Sequence, residues 1–394
     1  MIAAETEASR SSLPTPPAPT GLRGQTAGRS AICTVAMGHS GLTYYGYGVE
    51  DLAKRCSFEE VAYLLLQGEL PARSELAGFE QRLRQHRALP AALLEILEKI
   101  PATAHPMDVL RTGVSFLGNL DPEVDDESGD RRQAAERLLA ALPGIVVYWW
   151  RFAHDGVRPD LDTEAATLGG HFLEMLRGEP PSRLHEEIMN VSLILYAEHE
   201  FNASTFAARV CASTLSDYYS CIAGAIGTLR GRLHGGANEA AMEMLEKWSS
   251  PDEAEKGILD LLARKEKVMG FGHAVYKESD PRNAIIKQWS KLLAEEVGDT
   301  VLYPVSERVE EVMWREKKLF ANADFFHASA YRFLDIPTLL FTPIFVMARA
   351  AGWSAHVFEQ QADNKIIRPN AEYVGPQPRK VTPIEERPSA EAPS

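Results

Sequence analysis

Apolar residues recur at helical spacing along most of the chain, and this periodicity constrains the fold more than any other feature. It predicts a mainly α protein. A stripe with spacing four predicts one continuous helix that begins after Asn202 or Ser204: Phe206, Val210, Thr214, Tyr218, Ile222 and Ile226. Another helix is predicted to begin at Pro281, with Asp280 as its N-cap. Further helices are predicted over Val49–Gln67, Ser74–Arg87, Leu93–Ile100, Asp108–Leu117, Arg132–Phe152, Ala166–Arg177 and Phe341–Phe358.

Strand-forming residues lie near the N-terminal end. Two short runs, Ala31–Ala36 and Leu42–Tyr47, flank the turn-like sequence Gly38-His-Ser-Gly, which predicts a small β-hairpin. Residues 1–27 and 377–394 are polar, and we expect a disordered tail at the first and a loose tail at the second.

Composition and charge disfavour several classes of protein. The 394-residue chain has a formal net charge of -14, which argues against nucleic acid or an anionic membrane as a partner. No apolar stretch approaches the roughly 20 residues of a membrane helix. The four cysteines show no metal-binding spacing and are too few for a disulfide framework, so we expect a reducing, cytoplasmic compartment. Because the net charge is negative, an anionic ligand would need a local cluster of cations.

Two histidines occur in glycine-framed loops, where the backbone can approach a ligand closely. His234 lies in His-Gly-Gly-Ala-Asn, and Asn238 is expected to cap the following helix. A histidine that faces a helix N-terminus stays neutral and can donate a hydrogen bond to a carbonyl, but an ordinary loop histidine is the alternative. His273 lies in Gly-Phe-Gly-His-Ala-Val-Tyr, shortly before Asp280-Pro-Arg282. Arg282 in the first turn of a helix suits a bound anion, although a surface arginine is also consistent.

Other charged residues are ambiguous in isolation. Arg349 lies alone in an apolar helical run, so it needs an anionic partner, either a ligand or a carboxylate of the protein. Asp324 has aromatic neighbours that could desolvate it and raise its pKa towards that of a useful base, or it could cap a helix. His199 and Arg368 are further candidates that fit a solvated surface equally well.

The order of these motifs resembles that of the citrate synthase family: His-Gly-Gly-Ala-Asn, then Gly-Phe-Gly-His-Ala-Val-Tyr with Asp-Pro-Arg, then Asn-Ala-Asp-Phe-Phe from Asn322. The similarity covers about Ala31 to Gly375. Leu195–Phe206 and Asp363–Pro369 look most like the 2-methylcitrate synthase branch, which uses propionyl-CoA. One departure is Tyr45, where many relatives have arginine.

The resemblance implies a mostly helical, two-domain homodimer. The large domain would comprise 28–233 and 336–376, and a small domain, 234–335, would close over the site. The implied activity is that of an acyltransferase that condenses propionyl-CoA with oxaloacetate, without metal or cofactor. Acetyl-CoA, as in citrate synthase proper, is the alternative acyl donor, and a non-catalytic scaffold or CoA-binding regulator is the alternative from another class.

The resemblance also implies roles for matching residues. Asp324 would remove an α-proton from the acyl thioester, His234 would hydrogen-bond the thioester oxygen, and His273 would polarise the keto group of oxaloacetate. The expected ligands of the oxaloacetate carboxylates are His199, Arg282, Arg349 and, from the partner subunit, Arg368, with Arg73 as a weaker candidate. CoA would lie along Lys267, Val268, Met269, Gly270 and Phe271, with a contribution from Asn322.

Overall fold

The computed structural model describes residues 21–22, 24–36, 41–121 and 131–387. Ser30–Ile367 forms one compact unit, and the described parts of Met1–Arg29 and Arg368–Ser394 belong to a second. The predicted small domain and most of the predicted large domain, apart from 28–29 and 368–376, fall within the first unit, so the boundaries at 234 and 336 stay predictions. Most of the predicted N-terminal tail and the last seven residues of the C-terminal tail lie outside the described residues.

The described residues are mainly helical, as predicted. The α-helices are α1 (Val49–Arg55), α2 (Phe58–Gln67), α3 (Arg73–Gln85), α4 (Ala91–Leu97), α5 (Pro106–Leu120), α6 (Arg131–Trp150), α7 (Leu168–Arg177), α8 (Arg183–Tyr196), α9 (Ala203–Ser213), α10 (Tyr218–Leu229), α11 (Ala237–Leu245), α12 (Pro251–Ala263), α13 (Pro281–Glu296), α14 (Leu302–Lys317), α15 (Ala323–Phe333) and α16 (Phe341–Ala362). A π-helical turn, Arg151–Asp155, extends α6, and 3₁₀ turns occur at Thr338–Leu340 and Ile384–Glu386.

A small antiparallel sheet confirms the predicted hairpin. Strand β1 (Cys33–Val35) pairs with β2 (Leu42–Tyr44). A third strand, β3 (Tyr47–Gly48), pairs with β2 and was not predicted, because two residues are too few to show strand periodicity. The predicted turn residues 37–40 lie outside the described residues.

The predicted continuous helix from Phe206 to Ile226 is wrong. The chain forms α9 and α10, with a break at residues 214–217. Leu215 adopts a left-handed conformation with φ of 62°. Asp217 then caps α10 by accepting a hydrogen bond from the Ser220 N–H at 2.8 Å. The apolar spacing continues in phase on both sides of the break, so periodicity did not reveal it.

Helix caps explain the other boundaries. The predicted helix Val49–Gln67 is wrong in one respect, since it divides at Ser57, whose hydroxyl accepts from the Glu60 N–H while the Glu60 carboxylate accepts from the Ser57 N–H. Asn202 is confirmed as the N-cap of α9, and Asp280 as the N-cap of α13 with Pro281 in its first turn. Asn238 is not a cap, because α11 begins at Ala237 after Gly236.

Helix α16 lies at the centre of the unit Ser30–Ile367. It is buried over nearly its whole length and contacts α2, α6, α8 and α9. Arg349, on the middle of α16, is therefore held in the protein interior with 1% exposure. Among the described helices, none is both long and apolar enough to cross a membrane.

The close approach of α5 and α6 generates a stability prediction. A Cβ added at Gly113 would lie 2.6 Å from Ile145 Cγ2, whereas one added at Gly144 would meet Leu89 at an ordinary 3.5 Å. We expect Gly113→Ala to lower the free energy of unfolding by about 1–3 kcal/mol through overpacking. The matched Gly144→Ala variant should leave stability equal or higher by about 0.5–1 kcal/mol. Urea unfolding of both variants measures this, and equal stability of the two would contradict the predicted clash.

Candidate active site

The predicted histidines and Asp324 assemble around the C-terminal end of α8 and the start of α9. His199 follows α8, His234 precedes α11, His273 precedes α13, and Asp324 lies in the first turn of α15. Contacts between these elements connect residues that are distant in sequence. The contacts described next bring the four side chains into one region.

His234 faces a helix N-terminus, but that of α9 and not that of α11. Its Nε2 accepts a hydrogen bond from the Ser204 N–H at 3.2 Å and lies 2.9 Å from Ser204 Oγ. Trp353 Nε1–H donates to the same hydroxyl at 3.2 Å. Because a backbone N–H can only donate, Nε2 must be the unprotonated nitrogen and Nδ1 carries the hydrogen. Burial, aided by the Arg349 charge, lowers the pKa of His234 to about 4.

His273 has the opposite tautomer. Its Nδ1 accepts hydrogen bonds from the backbone N–H groups of Val275 at 3.1 Å and Tyr276 at 3.2 Å, so Nε2 carries the hydrogen. Burial, together with the Arg282 charge, lowers the pKa of His273 to about 4. Within the described residues, neither His234 Nδ1 nor His273 Nε2 has a hydrogen-bond partner. Each neutral ring therefore offers one N–H donor to a ligand.

His199 is buried beside His273, with 7% exposure, so it is not the surface residue that its local sequence allowed. The two ring centroids are 5.0 Å apart. His199 Nε2 lies 3.1 Å from the Tyr276 hydroxyl. Burial, followed by the charge of Arg282, lowers the pKa of His199 well below its usual value. The site thus contains three neutral rings next to a cation.

Asp324 is not a helix cap, because Asn322 caps α15 by accepting from the Asp324 N–H at 3.1 Å. The Asp324 carboxylate instead accepts a hydrogen bond from the Tyr196 hydroxyl at 2.7 Å. Burial raises the pKa of Asp324, while the Tyr196 hydrogen bond and the Arg282 charge oppose that rise. The carboxylate is therefore a stronger base than an exposed aspartate.

Arg349 has no carboxylate partner among the described residues. Its Nε donates to the Tyr196 carbonyl at 2.6 Å, and its guanidinium lies 4.7 Å from the Phe345 ring centroid. Burial lowers its pKa, and the nearby Glu198 charge opposes this. Arg349 therefore has no directly paired carboxylate among the described residues. Its buried charge still needs an anionic partner, and a ligand is the better candidate of the two that the sequence left open.

Arg282 is also buried, but it is paired. It forms a bidentate ion pair with Asp280, through Nε at 3.0 Å and Nη2 at 2.8 Å. Asp280 Oδ2 additionally accepts from the Ala323 N–H at 3.1 Å, which joins the start of α13 to the start of α15. The pair fixes the orientation of the guanidinium while Nη1 remains available.

The segment predicted to lie along CoA is joined to the loop before α15. Phe271 bridges to Ala321, and Asn322 binds the carbonyls of Gly270 through its N–H at 2.9 Å and of Gly272 through its side chain at 3.0 Å. Gly270 has φ of 84°, and a Cβ there would lie 2.9 Å from Phe325. Asn322 therefore supports this backbone. Within the segment, Lys267 is exposed while Val268 and Met269 are half-buried.

Two residues predicted to bind the oxaloacetate carboxylates, Arg73 and Arg368, have no described contact with the histidines or Asp324. Arg73 is exposed at the first position of α3, and no hydrogen bond or ion pair in the described part of the chain joins it to the histidines or Asp324. The position of Arg73 favours the alternative that it is an ordinary surface residue. Arg368 belongs to the second unit, where it is exposed and donates to Asn370 Oδ1 at 3.1 Å.

Sequence reasoning missed three residues that position the site. Tyr196, Ser204 and Tyr276 contact Asp324, His234 and His199, respectively. The only available signal was that Tyr196 and Ser204 flank His199 within Leu195–Phe206. Nothing in that segment indicates which distant side chain each hydroxyl contacts.

Comparison with known proteins identifies the family. The family model described as "Citrate synthase, C-terminal domain" matches residues 21–370. The chain belongs to the citrate synthase family. It is 61% identical to the 2-methylcitrate synthase of Shewanella oneidensis, over 93% of this chain and 97% of that protein. It is 44% identical to citrate synthase 2 of Bacillus subtilis, over 93% and 98% of the two chains.

Solved structures support the same family assignment. Citrate synthase from Thermoplasma acidophilum, in a ternary complex with carboxymethyl coenzyme A and oxaloacetate, superposes with a TM-score of 0.86 at 30% identity, covering 93% of this chain and 98% of that one. Citrate synthase from Thermotoga maritima gives a TM-score of 0.82 at 39% identity, with the same coverage. The helical fold expected from the family resemblance is confirmed.

The lowered histidine pKa values predict how the stability of this family member depends on pH. An unfolded histidine titrates near about 6.5, whereas His234 and His273 titrate at about 4 in the fold. Between these values the unfolded chain binds more protons, so the free energy of unfolding falls as pH decreases from about 6.5 to about 4. The slope is at most about 1.4 kcal/mol per pH unit for each histidine, and less where the ring is partly exposed.

Urea unfolding across this pH range measures the effect. The double variant His234→Gln/His273→Gln should show a shallower pH dependence than the parent chain. His154→Gln, at an exposed histidine outside the site, is the control for a histidine-to-glutamine change. An unchanged slope in the double variant would mean that both rings titrate normally.

Proposed function

We propose that the chain condenses propionyl-CoA with oxaloacetate and water to give 2-methylcitrate and CoA. The observation that carries this proposal is the pair of neutral histidines with opposite tautomers, together with Asp324, a carboxylate of raised pKa in the same region. The reaction needs two carbonyl oxygens to be polarised, and His234 and His273 each present one N–H donor. The 61% identical Shewanella relative supports propionyl-CoA as the acyl donor.

Enolisation of the thioester is the first step in the proposed mechanism. Asp324 removes the α-proton, while His234 donates its Nδ1 hydrogen bond to the thioester oxygen and stabilises the enol. A carboxylate is a weak base for removing the α-proton of a thioester. The reaction therefore depends on a hydrogen-bond donor that is already in position and on exclusion of water. The Tyr196 hydrogen bond keeps the carboxylate oriented towards the substrate.

Carbon–carbon bond formation follows. The enol carbon attacks the keto carbon of oxaloacetate, and the His273 Nε2 hydrogen bond stabilises the negative charge that develops on the keto oxygen. Water then cleaves the thioester of the condensed acyl-CoA, which releases CoA and the tricarboxylate. No step requires a metal or cofactor. Among the described residues, no group of three or more His, Cys, Asp or Glu side chains is arranged to hold a metal ion.

The oxaloacetate carboxylates would bind to Arg349, Arg282 and His199. Arg349 supplies the unpaired buried charge, and Arg282 supplies Nη1 from a guanidinium already oriented by Asp280. Two arginines within an acidic protein provide the local cation cluster that a dianion needs. Arg368 is proposed to complete the site of a partner subunit in a homodimer, and the cytoplasmic location stays a prediction.

Citrate synthase activity with acetyl-CoA is the second candidate. It is favoured by the 44% identity to citrate synthase 2 of Bacillus subtilis across nearly the whole chain. The two acyl donors differ by one methyl group, which is worth only about 1–3 kcal/mol of discrimination in an apolar pocket. The same catalytic residues serve both reactions.

Release of the CoA thiol distinguishes these functions. With purified protein and oxaloacetate, we expect kcat/KM for propionyl-CoA to exceed that for acetyl-CoA by about 10- to 200-fold. The reverse preference would assign citrate synthase activity with the same mechanism. No thiol release with either donor would contradict a condensing enzyme and favour a non-catalytic CoA-binding protein.

Subunit mixing tests Asp324 and Arg368 together. We expect Asp324→Asn to lower kcat by about 100- to 10,000-fold through loss of the base. Arg368→Gln should raise KM for oxaloacetate and lower kcat. If Arg368 acts in the partner's site, unfolding and refolding the two variants together restores one intact site per heterodimer, so up to about a quarter of all sites recover. No recovery after confirmed subunit exchange would mean that Arg368 acts within its own subunit or not at all.

A further inference from the structure

The proposed mechanism does not use strands β1 and β2, yet β2 is bonded to the end of α8 through Tyr44. This side chain has no exposed surface. Its hydroxyl lies 3.0 Å from the Ile194 carbonyl and 3.1 Å from the Glu198 carbonyl, and the Glu198 N–H donates to it at 3.4 Å. A single hydroxyl therefore binds the main chain at both ends of residues 194–198.

The segment that Tyr44 binds carries several contacts of the site. Tyr196 lies within it and holds Arg349 through its carbonyl and Asp324 through its hydroxyl. His199 follows directly, and the second carbonyl that Tyr44 binds belongs to the peptide group that leads into His199. Because α8 ends at Tyr196, the chain beyond it lacks the regular bonds of a helix, and hydrogen bonds from side chains have to hold it in place.

The start of β2 lies against the first turn of α13. A Cβ added at Gly41, just before β2, would lie 3.3 Å from Pro281 Cγ, which is closer than an ordinary van der Waals contact. Pro281 precedes Arg282, whose guanidinium is paired with Asp280. The Gly41 carbonyl also accepts from the Ala36 N–H at 2.6 Å, next to β1. The absence of a side chain at Gly41 thus allows the hairpin backbone to approach α13 closely.

We propose that strands β1 and β2 form a positioning element for oxaloacetate binding. Tyr44 holds the main chain that leads into His199, and the contact at Gly41 supports the turn that carries Arg282. These two segments are far apart in sequence, so the hairpin sets their spacing to the carboxylates of one dianion. A misplacement of about 1 Å can lower a reaction rate about 100-fold. The inference rests on the proposed function, since it takes oxaloacetate as the ligand.

Removal of one hydroxyl tests the contact with α8. We expect Tyr44→Phe to raise KM for oxaloacetate by about 5- to 50-fold, because His199 loses its fixed main chain, while KM for propionyl-CoA changes less than about twofold. Tyr218→Phe is the matched control, since it removes another buried hydroxyl, 2.7 Å from Ser354 Oγ, and should keep the parental KM values. Lower stability of Tyr44→Phe with parental KM values would mean that Tyr44 has only a structural role.

Two glycine variants test the contact with α13. Gly41 and Gly46 have φ of 64° and 85°, so alanine strains the backbone at either position. A Cβ at Gly41 meets Pro281, whereas no atom of the described residues lies within 4 Å of a Cβ at Gly46. We expect Gly41→Ala to raise KM for oxaloacetate by about 3- to 30-fold, and Gly46→Ala to keep it, although both lose stability. Equal KM values in the two variants would overturn the role of Gly41. This pair also decides the proposal if Tyr44→Phe does not fold.

Hydrogen exchange measured by mass spectrometry needs no turnover, so it separates this inference from the proposed function. In Tyr44→Phe, peptides that cover residues 194–200 should exchange at least about tenfold faster than in the parent chain, while peptides of α14 keep the parental rate. Unchanged exchange at 194–200 would overturn the positioning role. Absence of thiol release by the parent chain with either acyl-CoA would contradict the proposed function and oxaloacetate as the ligand, whereas faster exchange would still show that Tyr44 holds this segment.

Discussion

Tyr196 connects the two opposite charges on which the site depends. Its carbonyl accepts a hydrogen bond from Arg349 and its hydroxyl donates one to Asp324. Tyr196 is 1% exposed at the end of α8, so helix packing fixes both contacts. A direct ion pair between Arg349 and Asp324 would depress the pKa of the carboxylate and occupy the guanidinium. Because Tyr196 binds each of them separately, Asp324 keeps a raised pKa and the Arg349 guanidinium stays available to an anion.

The histidines stay neutral for a reason that would survive ligand binding. Burial is the largest cause of the lowered pKa of His199, His234 and His273, and the arginine charges add to it. A bound dianion would offset the arginine charges but would itself exclude more water. One nitrogen of His234 and one of His273 accept hydrogen bonds from backbone N–H groups, which cannot change roles, so each ring keeps its other nitrogen as a donor.

Local chemistry in the sequence predicted much of the fold but few of the site's contacts. The Asp280-Pro281 cap and the hairpin strands follow from a few adjacent residues, and both are present. The Ser57-x-x-Glu60 capping box was equally readable and would have divided the first helix. In contrast, Tyr196 and Asp324 are separated by 128 positions, and only tertiary packing brings them together. Asn238 failed as a cap because α11 begins one residue earlier, at Ala237, and the helix N-terminus that His234 meets is that of the distant α9.

The break between α9 and α10 shows how one incorrect helix boundary hides the packing around the site. A continuous helix from Phe206 to Ile226 would extend for about 30 Å, and its two halves could not pack against each other. Leu215 in the left-handed region and the Asp217 cap fold the chain back, so that α10 packs against α9. The first turn of the short helix α9 contacts His234 through Ser204. A turn of four residues thus allows α10 to support the helix that holds His234.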